Sequence, residues 1–75
     1  MLITETMISR EIERLLPGSR TKIRHLPEAD EFLVSIMQGG QVAEMAFPAA
    51  HLWMSLDDFQ GRNLAPLIAR LQQAE

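Results

Sequence analysis

The apolar positions of this chain repeat first with a helical period, then with a strand period, then helically again. Ile8, Ile12, Leu15 and Leu16 fall at i, i+4, i+7 and i+8, which is one stripe of an α-helix over about residues 5 to 16. Thr4 or Thr6 is placed to accept from the free N–H groups of its first turn. Pro17-Gly18 ends it, since Pro disfavours helical geometry at Leu16 and Gly accepts a left-handed backbone.

Thr21 to Leu26 then alternates, with Thr21, Ile23 and His25 on one side and Lys22, Arg24 and Leu26 on the other. The "PEAD" at 27–30 carries turn chemistry. Glu31 to Met37 reads as a second strand and Gln41 to Phe47 as a third, ended by Pro48. Between them Gly39-Gly40 supplies the positive φ values of a two-residue hairpin turn.

A two-residue loop dictates pairing, so the register follows. With Gln38 opposite Gln41, Val34 meets Met45 and Phe32 meets Phe47. One face then holds Phe32, Val34, Ile36, Ala43, Met45 and Phe47. The four-residue loop at 27–30 sets Arg24 opposite Leu33 and Ile23 opposite Val34, so Ile23 joins the same face. Three strands with independent patterns agree on one core side.

In the third region Ser55 opens "SLDDF", a capping-box-like start with acidic residues suited to a helix N-terminus. The expectation is a short turn there, punctuated by Gly61. A final helix would then be capped by Asn63, with Pro66 in its first turn and Leu64, Leu67, Ile68 and Leu71 as its stripe. The predicted fold class is α+β, in the order α-β-β-β-α. It is a three-stranded antiparallel meander with two helices packed on one face, in a single domain over residues 1–75.

The opposite face raises the functional question. It is predicted to carry the rows Lys22, Ser35, Glu44 and Arg24, Leu33, Ala46, with Met37 and Val42 near the Gly-Gly turn. A domain of 75 residues without Cys has neither a disulfide nor a thiolate metal site to reinforce a small core. Burial against another chain is the remaining source of stability. Leu33, Met37, Val42, Glu44 and Ala46 are therefore the candidate interface. The expected partner is a second copy forming a homodimer, or another protein. The bare edge of the third strand is the competing geometry, because only Glu44 guards "QVAEMAF".

Charge adds one alternative. The net charge of −3 argues against nucleic acid, yet residues 1–24 hold five basic side chains against three acidic ones. Arg20, Lys22 and Arg24 along the first strand are the possible nucleic-acid stripe. The N-terminus lacks a signal-peptide pattern and no apolar run could span a bilayer, so no membrane and a cytoplasmic setting are expected.

Candidate chemistry is sparse. His25 and His51 stand in no metal-binding spacing, Asp57-Asp58 sits where a helix start is capped, and no Ser is paired with a base. Gly39-Gly40 precedes neither a lysine nor a helix, so it is no phosphate loop. No catalytic residue, cofactor or metal is expected, and the chain reads as a non-enzyme. Trp53 is expected to close the open end of the core, or else to stand exposed as a binding anchor.

The element order resembles that of the double-stranded-RNA-binding domain. That family's resemblance implies phosphate contacts from a Lys-rich start to its second helix. The matching stretch here, "SLDDFQGRNLAPL", holds Asp57, Asp58 and one Arg, so RNA binding does not carry over. The opening "IERLLP" and closing "LAPLIARLQ" also resemble short uncharacterised bacterial proteins, common in pseudomonads, grouped only as a domain of unknown function. That resemblance implies the same layout and no known activity.

Overall fold

The computed structural model describes residues 2–73. Helix α1 (Glu5–Leu15) is followed by strands β1 (Arg20–Leu26), β2 (Glu31–Gln38) and β3 (Gln41–Pro48), then by a 3₁₀ turn (Ala49–Trp53). The rest is one continuous helical rod in three pieces: α2 (Leu56–Phe59), a π turn (Gln60–Leu64) and α3 (Ala65–Gln73). The strands lie in the order β1-β2-β3, both pairs antiparallel.

Local chemistry sets each boundary. Of the two threonines offered as caps, Thr4 serves, its hydroxyl accepting from the Met7 N–H at 3.2 Å. Gly18 takes φ 85° beyond the end of α1. Gly39 and Gly40 both take positive φ (58° and 79°), as a two-residue hairpin needs to match the twist of its strands. Asp30 adopts φ 51°, and its carbonyl accepts from the Ala49 N–H at 3.0 Å, which closes the far end of the sheet. The register is the one the loops predict: Ile23 faces Val34, Phe32 faces Phe47 and Ser35 faces Glu44.

Strand parity follows. Val34, Ile36, Ala43 and Phe47 are buried, while Met37, Val42, Glu44 and Ala46 on the other face are exposed and Leu33 is half-buried. Both helical layers pack on the buried face, with α1 beside β1 and α3 beside β3. Ile8, Ile12 and Leu16 from α1, and Leu64, Leu67 and Leu71 from the C-terminal rod, complete the core. Two further core members fall outside the predicted stripes. Ile3 is fully buried, held by its N–H to the Leu52 carbonyl at 2.8 Å, and Phe59 is fully buried against Phe47.

The C-terminal region differs from expectation. Ser55 does cap α2, accepting from the Asp58 N–H at 3.2 Å, but the chain does not break at Gly61 and Asn63 caps nothing. Pro66 accounts for the difference. It lacks an N–H, and in a regular α-helix its ring would collide with the carbonyl of Arg62. The widened turn just before it, in which the Ala65 N–H donates to the Gln60 carbonyl, relieves that collision without ending the helix. The extra residue also converts the five-residue step from Phe59 to Leu64 into a single face, so that Phe59, Leu64, Leu67 and Leu71 all point into the core.

Asn63 is therefore buried inside the rod at 4% exposure. Its Oδ1 accepts from His51 Nδ1 at 3.3 Å, which ties the 3₁₀ turn to the rod. Its Nδ2 has no protein partner. His51 in turn stacks on Phe47, Phe47 on Phe32 and Phe32 on His25, with centroid separations of 6.4, 5.8 and 4.8 Å. The histidines thus terminate a ladder of rings. His25 at its outer end lies 3.6 Å from Asp30. Trp53 does not close the core: it is 70% exposed, because the 3₁₀ turn directs Leu52 inward instead.

Candidate functional site

The free face of the sheet is a grid of four rows, each set by the observed pairing. From the Gly-Gly turn outward they are Arg20, Met37, Val42; Lys22, Ser35, Glu44; Arg24, Leu33, Ala46; and Leu26, Glu31, Pro48. All five candidate interface residues, and all three residues of the basic stripe, stand on this one face. The face has a chemical gradient across it. Its β1 column is cationic over three rows, its β2 column is apolar at Leu33 and Met37, and its β3 column carries Glu44 between Val42 and Ala46.

The centre of the grid is a shallow depression of about 110 Å³ lined by Lys22, Arg24, Leu33, Ser35 and Glu44. The Ser35 hydroxyl donates to Glu44 Oε2 at 2.8 Å across the strands, which orients the carboxylate along the face. Met37 at 40% and Val42 at 56% exposure are two of the four large apolar side chains left most open to solvent among the described residues. They flank the hairpin tip, and the row Lys22, Ser35, Glu44 separates them from Leu33 and Ala46.

The third-strand edge is less open than its composition implies. Arg70, on the last turns of α3, donates from Nη1 to the backbone carbonyl of Glu44 at 3.0 Å. A strand arriving along β3 would compete with this charged donor, and Pro48 offers no N–H at the strand's end. Sequence alone hides this contact, because its acceptor is a backbone atom 26 residues from the donor.

Other charged groups lie apart from the face. Glu11 and Arg14 pair along α1, and their hydrogen bond and mutual attraction raise the Arg14 pKa above its ordinary value. At an exposed helix surface such a pair contributes little to stability. Among the described residues no three His, Asp or Glu side chains gather as a metal would need, and no helix is long and apolar enough to cross a membrane. No family model, curated protein or solved structure matches the chain, so the reading of this surface rests on its own geometry.

Proposed function

We propose that the protein is a non-enzymatic interaction module that self-associates through the free face of its sheet. The supporting observation is the distribution of burial. Every described helix packs on one side of a three-stranded sheet, while the other side presents Met37 with Val42 and Leu33 with Ala46 in two apolar pairs, one on each side of the row Lys22, Ser35, Glu44. A single sheet layer buries little apolar area for its size, and covering the second face is the direct way to add to it.

The face is preferred to the β3 edge because Arg70 occupies an edge carbonyl, whereas nothing described covers the two apolar pairs of the face. It is also preferred to nucleic acid. Glu44 lies in the same row as Lys22, and Glu31 adjoins Arg24 diagonally, so a phosphate backbone laid on the cationic column would also meet carboxylates. A protein surface with both signs has no such conflict.

The size of the face bounds the affinity. Strands about 4.8 Å apart and rows about 6.7 Å apart give a footprint of roughly 350 Å² per protomer, about 700 Å² for the pair, which is below the range of stable interfaces and in that of weak, transient ones. The expected dissociation constant is accordingly on the order of hundreds of micromolar. Sedimentation equilibrium over a wide concentration range checks this. A monomer–dimer equilibrium is the expected result, and a strict monomer at millimolar concentration would remove the proposal.

A further inference from the structure

We infer that the dimer is a face-to-face pair whose two-fold axis runs parallel to the strands, so that Lys22 of each protomer meets Glu44 of the partner subunit. This rests on the self-association proposed above and names its symmetry and its polar contacts.

Only two in-plane directions are open to a two-fold axis relating two stacked sheets in aligned packing. An axis across the strands would lay each β1 on the partner's β1. Arg20, Lys22 and Arg24 would then face the same three cations, and Glu44 would lie against other β3 side chains without a counter-charge. Like charges opposed in a contact of this kind weigh heavily against it. An axis along β2 reverses the columns and keeps the rows. Each β1 then lies over the partner's β3, and the second row maps onto itself with Lys22 over the partner's Glu44, twice by symmetry. Leu33 meets the partner's Leu33 and Met37 the partner's Met37, so both apolar residues of the β2 column are buried on their own images, with Ser35 over the partner's Ser35 between them. Glu31, in the outermost row of β2, falls over the partner's Glu31, one like-charge pair at the rim against three at the centre for the other axis, and Arg24 of each protomer lies on its diagonal.

The cross-strand bond from Ser35 fits this arrangement, since it holds the Glu44 carboxylate over the face before association. Less side-chain freedom is then lost when the pair forms. The observed depression, with Lys22 and Arg24 on one wall and Glu44 on the other, has its opposite charges placed for such an inversion of columns.

Charge reversal tests it. Lys22→Glu sets Glu against Glu at both symmetry-related contacts, and Glu44→Lys sets Lys against Lys. Each single variant is expected to weaken self-association roughly tenfold or more, since two attractions become two repulsions. The double variant K22E/E44K restores both attractions and is expected to return to within about threefold of the starting affinity, as is an equimolar mixture of the two single variants. Both positions are exposed, and circular dichroism confirms that each variant keeps the fold. If the parent dimerises but Lys22→Glu leaves its affinity unchanged or tightens it, the inferred axis is overturned and face-mediated association survives. If the parent never dimerises, the underlying proposal fails and takes this inference with it.

Discussion

Phe47→Ala is expected to unfold the protein. Phe47 is 1% exposed and forms the junction of the ring ladder, stacked on Phe32 at 5.8 Å and met edge-on by Phe59 at 5.0 Å. Its removal leaves a cavity bordered by the sheet, the 3₁₀ turn and the C-terminal rod, three elements that cannot collapse together into one gap. Truncating a buried Phe costs about 3–5 kcal/mol, and a domain this small has a total stability of about the same size. Far-UV circular dichroism with a urea titration is the measurement. The expected outcome is loss of the cooperative transition, and a variant that retains a stable fold would show that the core is not organised around this ring. Trp53→Ala is the matched control. With its ring 70% exposed, its truncation should change stability by no more than about 0.5 kcal/mol.

Leu33→Asp should abolish association and leave the monomer folded. Leu33 occupies the centre strand on the free face, with Arg24 directly opposite on β1. In the monomer the new carboxylate therefore gains a cross-strand cation, and the cost is at most about 1 kcal/mol of strand preference. In the dimer the same carboxylate would be desolvated beside its own symmetry mate. Like charges so placed oppose association strongly, and at least a hundredfold loss of affinity is expected. Sedimentation and thermal melting measured together separate the two effects. Unfolding of the monomer would contradict the assignment of Leu33 to the free face.

Much of this architecture is legible in the residues because the loops are short. Gly39-Gly40 and the four residues after Leu26 leave one register each, and from that register the burial of Val34 and the outward position of Leu33 follow. The C-terminal rod is less legible because local signals and tertiary packing disagree. Gly61 and Asn63 are ordinary breakers and caps by their own chemistry, yet Pro66 forces a wide turn that passes both of them into a helix. The five-residue step from Phe59 to Leu64 was the available sign of it, since a π turn alone places such a pair on one face. Ile3 joins the core through a backbone bond to Leu52, a contact with no side-chain signature.

The candidate surface divides in the same way. Its eight proposed residues are readable from strand parity, and all stand together on the free face. The protection of the β3 edge is not readable, because it depends on where the end of α3 sits over the strand. Charge complementarity between columns is intermediate. Lys22 and Glu44 are in one row by register alone, but which pairs would oppose across a symmetry axis is a property of the assembled face and not of any one strand.

The most direct measurement is an isotope-filtered NOE spectrum on an equimolar mixture of labelled and unlabelled protein at a concentration where the dimer forms. Intermolecular contacts from the Leu33 and Met37 methyl groups are the expected result, because these side chains would lie against their own counterparts. Intermolecular contacts confined to β3 backbone protons, or a spectrum with none, would contradict association through the outer face of the sheet.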